Sequence, residues 1–149
     1  MKLIKIFSIC ILAAVIFANC TKPENGIPTK AKKEFLTQAS WKYVKYETKT
    51  VSSAWIDEFP GWSACSKDDL IIFKTDGAYE HNAGPIACSP GSQIIETGAW
   101  AFTDNEAKFK ITTTGTREWT IEQLSDTILI ISIIDNTPGF ISERSTFKH

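Results

Sequence analysis

Cysteine, histidine and paired carboxylates are the side chains best suited to chemistry, and the sequence holds few of them in catalytic arrangements. There are four cysteines and two histidines among 149 residues. The histidines, His81 and His149, belong to no recognisable metal or catalytic motif. The neighbouring carboxylates Asp68 and Asp69 would point to opposite faces of a strand. No nucleophile elbow or phosphate loop occurs. The residues therefore predict a protein without enzymatic activity, cofactor or metal.

Two of the cysteines, Cys65 and Cys88, lie on either side of residues 68–82. Export would place them in an oxidising compartment, where a disulfide is the expected state. In the chain-entropy model a bridge closing a loop of this length contributes about 3 kcal/mol. The alternatives are a metal pair or a reactive thiol, although two cysteines alone rarely satisfy a zinc site. We expect a disulfide.

The first twenty residues have the layout of a secretory signal peptide. Lys2 and Lys5 precede an apolar run at residues 6–17, which is shorter than the ~20 residues of a membrane-spanning helix. Residues 17–20 (FANC) resemble the lipobox of bacterial lipoproteins, whose cysteine is diacylated on sulfur, with palmitate as a typical acyl group. The resemblance implies lipidation of Cys20. The alternative is an ordinary signal peptide cut elsewhere, with this cysteine left as a free thiol.

The sequence predicts three parts. They are a lipoprotein signal peptide at residues 1–19, a flexible tether at residues 20–33 and one folded domain at residues 34–149. The tether is polar, contains proline and glycine, and lacks apolar periodicity. The whole chain has 43% apolar residues and a net charge of -1, which fits a folded domain and gives no basic excess for nucleic acid.

The folded part is predicted to consist mainly of short strands joined by turns. Asp76-Gly77, between runs rich in Ile, Phe and Tyr, predicts a β-hairpin over residues 68–82. Later segments alternate apolar and polar residues with a period of two. About eight strands with short connections predict an all-β fold, a single up-and-down antiparallel β-barrel, whose closure removes exposed edges. A β-sandwich is the alternative.

Aromatic residues are the candidate ligand-binding residues. Those on predicted strands could fill the barrel or line a pocket in it, since an eight-stranded barrel has room for either. Two tryptophans in the long connection over residues 50–63 could fold over one end of the barrel or remain available to a partner. The strand residues are Trp41, Tyr79, Trp100, Phe109 and Trp119, and the loop residues are Trp55 and Trp62.

The chain from residue 36 onward resembles the lipocalin-like domains of exported lipoproteins of Gram-negative bacteria. The resemblance is carried by residues 36–41 (LTQASW), 65–79 (CSKDDLIIFKTDGAY), 98–102 (GAWAF) and 127–132 (TILIIS). It implies an eight-stranded barrel with a central cavity. It brings no catalytic residues.

Two functions follow as hypotheses. The first is a membrane-anchored, non-enzymatic lipoprotein that binds a small apolar ligand in the barrel, with residues 55–62 as a lid. The second is a cell-envelope interaction or assembly module with a filled barrel, which presents the same loop to another envelope protein. We expect the protein to be anchored to a bacterial membrane, the outer membrane, by the lipid on Cys20. Its folded domain would face the periplasm or the cell surface.

Overall fold

A computed structural model of the chain describes residues 30–89 and 91–149. The predicted signal peptide at residues 1–19, the lipidation site Cys20 and most of the predicted tether lie outside these residues. In the part that is described, no helix is long and apolar enough to cross a membrane.

The described chain is mainly antiparallel β-structure with a few short helical segments. In chain order the elements are α1 (Lys32–Thr37), β1 (Trp41–Lys49), β2 (Ile56–Asp57), a 3₁₀ turn (Phe59–Gly61), α2 (Ala64–Lys67), β3 (Leu70–Phe73), β4 (Ala78–Asn82), β5 (Ile94–Thr103), β6 (Lys108–Thr112), β7 (Thr116–Leu124), β8 (Ile128–Ile133) and β9 (Ser142–Lys148).

The strands form one sheet that closes on itself. From β3 to β9 each strand pairs with the next along the chain, and β9 pairs back with β1. β1 also pairs with β3, through Trp41 opposite Ile71, and this completes the ring. The predicted all-β, up-and-down barrel of eight strands is therefore confirmed, with the two-residue β2 as an additional strand beside β1. A β-sandwich is excluded.

The hairpin of β3 and β4 forms as the sequence predicts. Gly77 takes a φ of 91° in the turn, a conformation that favours glycine. Its amide donates to the carbonyl oxygen of Lys74 at 3.0 Å, and the Lys74 amide donates to the carbonyl oxygen of Ala78 at 2.9 Å. The Asp76 carboxylate accepts from the Ala78 amide at 2.9 Å. Asp76 and Gly77 together fix the turn.

Aromatic side chains fill the end of the barrel nearest α1, which we call the closed end. Trp41 is fully buried, and its Nε1 donates to the carbonyl oxygen of Leu36 in α1 at 2.9 Å. Above it, the ring of Phe73 lies edge-on to Trp100 and to Phe109, with centroids 5.6 and 5.3 Å away. Edge-to-face packing of this kind adds to the gain from burial. The closed end is therefore a packed core with α1 as its cap.

The opposite end carries the remaining connections between strands, three of them long, and we call it the open end. These connections span residues 50–69, 83–93, 113–115 and 134–141. The predicted disulfide is confirmed here: Cys65 of α2 and Cys88 are bonded, with their Cα atoms 5.1 Å apart. It ties α2 to the connection between β4 and β5. The open end is thus braced covalently on one side.

Gly98 is the position where β5 leaves no room for a side chain. A Cβ atom at Gly98 would lie 2.2 Å from the backbone carbonyl oxygen of Thr112. We expect Gly98→Ala to destabilise the barrel by about 1–3 kcal/mol, because the β5–β6 ladder must shift to accommodate the methyl group. Urea denaturation followed by tryptophan fluorescence measures the change.

Gly61→Ala is the matched control, since nothing lies within 4 Å of a Cβ atom at that position. It should leave the free energy of unfolding within about 0.5 kcal/mol of the wild type. Equal destabilisation by the two substitutions would show that the contact with Thr112 is not the cause.

Candidate functional site: the barrel cavity

A cavity of about 410 Å³ occupies the open half of the barrel. Phe73 contributes both to the closed-end core and to the cavity lining, so the cavity begins where the packed core ends. Its volume lies within the range of about 300–1,000 Å³ that is usual for small-molecule sites. The barrel is therefore filled at one end and hollow at the other.

The walls are built by strand positions that point inward. Because residues two apart on a strand share a face, Tyr79 and His81 of β4 both line the cavity, as do Arg117 and Trp119 of β7. Ile131 of β8 forms part of the opposite wall and is buried. Along β4 and β7 the lining side chains become more polar toward the open end, from Tyr79 to His81 and from Trp119 to Arg117. The cavity thus has an apolar base and a polar mouth.

Two tyrosines offer hydroxyl groups to the cavity. Burial raises the pKa of Tyr79 to about 12, and the nearby Glu96 carboxylate contributes to the rise. Burial, followed by the proximity of Tyr79, raises the pKa of Tyr43 still further. Both phenols are neutral at physiological pH, and neither has a hydrogen-bond partner among residues 30–89 and 91–149. They are available to a polar group of a ligand.

His81 lies at the mouth between two acidic residues. Its Nε2 is 3.0 Å from Oδ2 of Asp69, whose side chain is buried. On its other side, His81 is directly opposite Glu96 in the β4–β5 pair. The adjacent carboxylate of Asp68 has a different partner and accepts from the Ile86 amide at 2.8 Å. The two neighbouring aspartates therefore have different partners, although both precede β3 and neither lies on a strand, contrary to the expectation from the sequence.

The same acidic residues do not form a metal site in the structure. Over the described ranges, no three His, Cys, Asp or Glu side chains are grouped so that they could hold a metal ion. The His81–Asp69 pair contributes two such groups, and Cys65 and Cys88 are used in the disulfide. The chemistry available at the mouth is hydrogen bonding and ion pairing.

A second ion pair spans the mouth from β7 to β9. Nη2 of Arg117 lies 2.6 Å from Oε1 of Glu143, and the guanidinium carbon is 4.9 Å from the centre of the Trp119 ring. A short contact to a carboxylate and stacking on an aromatic face both stabilise a guanidinium. Burial raises the pKa of Tyr46, and the Glu143 carboxylate contributes to this shift. Arg117 is thus held within a network at the rim.

The long connection after β1 contributes one aromatic residue to the mouth. The Trp62 ring packs against Tyr43, Tyr46 and Phe59, with centroid distances of 5.2, 5.1 and 5.5 Å. Trp55 behaves differently, because it lies over the cationic groups of Lys49 and Arg144 at 4.9 and 4.6 Å. The segment predicted as a lid therefore divides, with Trp62 at the mouth and Trp55 apart from it.

The structure places the residues predicted to bind ligand in four different settings. Tyr79 and Trp119 line the cavity, and Trp62 lines an adjoining hollow together with Tyr43, Asp69 and His81. Trp41, Trp100 and Phe109 belong to the packed core and are not among the lining residues, and neither is Trp55. Ligand binding by Tyr79, Trp119 and Trp62 stays a prediction.

Several lining residues were missed by the sequence reasoning. They are Tyr43, His81, Glu96, Arg117 and the apolar residues Ile111 and Ile131. Alternation within the strands carried the signal, because His81 lies two residues from the predicted Tyr79, and Arg117 two residues from the predicted Trp119. Extending each inward face toward the longer loops would have identified them.

Comparisons with known proteins add one similarity. No protein-family model matches the sequence, and no curated protein matches it. Among solved structures, the chain is similar to a lipocalin-like protein from Bacteroides uniformis, with 12% sequence identity and a TM-score of 0.49. The match covers 76% of this chain and 97% of the other. The fold itself is a closed, eight-stranded, up-and-down antiparallel barrel, an architecture to which lipocalins also belong.

Titration of Tyr79 makes stability depend on pH in the alkaline range. Its pKa is raised from 10.0 to about 12, so between these values the folded protein keeps a proton that the unfolded chain has lost. The free energy of unfolding therefore falls as the pH rises through this window. We expect Tyr79→Phe to make the fall shallower, by at most about 1.4 kcal/mol per pH unit.

The measurement is urea denaturation of both proteins at a series of pH values from neutral to strongly alkaline. Comparison with the wild type at each pH cancels the contribution of the lysines, which titrate in the same range. Parallel curves for the two proteins would contradict the assignment of this pH dependence to Tyr79.

Proposed function

We propose that the protein binds a small, mostly apolar ligand in the open half of the barrel and catalyses no reaction. The observation that carries this proposal is the cavity of about 410 Å³, with apolar walls inside and polar groups at its mouth. Such a combination is typical of sites that bury the body of a ligand and orient its polar end. The packed closed end supplies a rigid floor.

The ligand-binding barrel is proposed to be the folded part of an exported, membrane-anchored lipoprotein. The support comes from the signal-peptide layout and from residues 17–20, which resemble a lipobox. Two acyl chains on Cys20 would anchor the protein stably at the bacterial outer membrane, facing the periplasm or the cell surface.

The position of α1 gives this anchor a direction. Lys30, just before α1, is paired with Asp126 at 2.9 Å, in the turn between β7 and β8 at the closed end. A tether that precedes Lys30 would therefore reach the barrel at its closed end. On this proposal the mouth of the cavity is on the side of the barrel away from the attachment point, where it is accessible to ligand.

Filling the cavity should abolish ligand binding. Ile111 is a partly buried lining residue, and Ile111→Trp would place a large ring in the hollow. We expect the affinity for the uncharged fluorescent probe N-phenylnaphthylamine to fall at least about tenfold, which corresponds to ~1.4 kcal/mol. Fluorescence titration measures it, and circular dichroism checks that the barrel is intact.

Ile56→Trp is the matched control, since Ile56 is 56% exposed on β2 and does not line the cavity. This variant should bind the probe as the wild type does. If the wild type does not bind the probe, or if Ile111→Trp binds it unchanged, the cavity is not a ligand site.

A second candidate function is supported by apolar residues around the open end. Ile86, Ile94 and Ile95 lie on one side of it and Phe140 and Ile141 on another, and all are about half exposed. Exposed apolar residues around one end of a domain can serve as contact sites for a partner. An assembly module of the cell envelope would use this rim instead of the cavity, and would be favoured if no apolar probe binds.

Lipidation of Cys20 is tested by metabolic labelling. We expect labelled palmitate to be incorporated into the protein in a Gram-negative bacterial host, and to be lost in Cys20→Ala, because the acyl chains attach to that sulfur. Cys10→Ala, in the apolar run of the signal peptide, is the matched control and should retain the label. Labelling that survives Cys20→Ala would refute the anchor.

A further inference from the structure

We propose that the ligand of the cavity is an amphipathic molecule with a protonated amine as its head group, and that the cavity discriminates against carboxylates. This inference rests on the proposed ligand-binding function and specifies the chemical class of the ligand. It follows from the charges around the mouth, from the pairing of the single guanidinium in the lining, and from the acceptor groups that remain unpaired.

Carboxylates outnumber cationic groups around the cavity. Glu96 is in the lining, Asp69 is bonded to the lining residue His81, and Glu143 is bonded to Arg117. Among the described residues of the lining, Arg117 is the one lysine or arginine. The mouth therefore carries net negative charge whether His81 is protonated or neutral. A field of that sign attracts cations and repels a second carboxylate.

Arg117 is already paired with an acid. Its Nη2 is already 2.6 Å from the Glu143 carboxylate, and its guanidinium lies over the Trp119 ring. An incoming carboxylate would either lie beside the Glu143 carboxylate on the same guanidinium, where the two like charges repel, or displace it and leave that mostly buried acid without its partner. Loss of one partner of such a pair is costly, because the remaining charge keeps its desolvation penalty. The one cationic group of the lining is thus committed.

Glu96 supplies the complementary feature. Its carboxylate has no ion-pair or hydrogen-bond partner among residues 30–89 and 91–149, although the residue is only partly exposed and lines the cavity. His81 on β4 lies directly opposite Glu96 on β5. Tyr79, two residues from His81 on β4, is the diagonal neighbour of Glu96. An unpaired, partly buried carboxylate at the mouth of the cavity is an acceptor that still lacks a donor.

Tyrosine hydroxyl groups in the same cavity complete a site for an ammonium group: Tyr79 beside Glu96, and Tyr43 on β1. An alkylammonium has three N–H donors and no acceptor, so it requires several oxygen atoms around it. The phenol oxygens of Tyr79 and Tyr43 accept hydrogen bonds while they are neutral, and both face the same cavity as Glu96. The apolar part of the ligand then extends toward Phe73 and Ile131. A ligand whose ammonium group lies at Glu96 and whose alkyl chain lies deeper in the barrel would contact both the polar and the apolar part of the lining.

The test compares three probes that share one eight-carbon chain: octylamine, octanol and octanoate. Isothermal titration calorimetry on the purified full chain at neutral pH gives the affinity for each. We expect octylamine to bind tightest and octanoate weakest. Glu96→Gln keeps the size of the side chain and removes its charge, and it should reduce the preference for octylamine over octanol by about five- to tenfold.

Glu122→Gln is the matched control, because Glu122 is exposed on β7 and does not line the cavity. It removes the same charge and should leave all three affinities at their wild-type values. Equal effects of the two substitutions would show that overall charge is responsible, and would overturn the assignment to Glu96.

The outcomes separate this inference from the function on which it rests. If none of the three probes binds the wild type, the ligand-binding function itself fails. If the probes bind with octanoate tightest, or if Glu96→Gln retains the full preference for octylamine, the function stands and the amine site is refuted. Tightest binding of octylamine, with the preference lost in Glu96→Gln alone, supports the inference.

Discussion

Pairing of the last strand with the first is the constraint on which the rest of the structure depends. β9 runs antiparallel to β1 along almost its whole length, and a buried ion pair lies on this seam. Glu47 is 5% exposed and accepts from Lys45 and Arg144, each at 2.8 Å. Burial alone would raise the pKa of Glu47, and the two cationic partners lower it below its usual value. The buried carboxylate is thus tolerated where the barrel closes, because both of its oxygen atoms are paired.

Within the closed barrel, the residues that point inward decide which end is packed and which end is hollow. A ring of eight strands has an interior just wide enough to be filled by large side chains. At the closed end Trp41, Phe73 and Phe109 fill that width completely. At the open end the inward positions include shorter or polar side chains such as Thr113, His81 and Ser145, which leave space. The cavity therefore arises from the choice of inward residues along the strands and needs no change in the barrel frame.

Local sequence patterns predicted the barrel, but they did not predict which inward residues fill its core and which line its cavity. Asp76-Gly77 specifies a turn within a few residues, and the period-two pattern gives the strands, so the hairpin, the barrel and the disulfide followed from the sequence. Whether Trp100 fills the core or lines a cavity depends on strand tilt and on its height along the barrel. Those quantities are set by pairing between strands, including the bulge between Tyr43 and Lys45, which leaves no local pattern. The short helix α2 was missed because four residues carry too little periodicity.

The mouth of the cavity is held in shape before any ligand arrives. The disulfide fixes α2 to the connection after β4, and Trp62, two residues before α2, packs on Tyr43 and Tyr46 of β1. Across the opening, Arg117 is clamped to Glu143. Side chains that are already ordered lose little entropy when a ligand binds, so more of the contact energy appears as affinity. On the proposed ligand-binding function, a braced entrance would make selection at the mouth depend on charge and shape more than on closure of a loop.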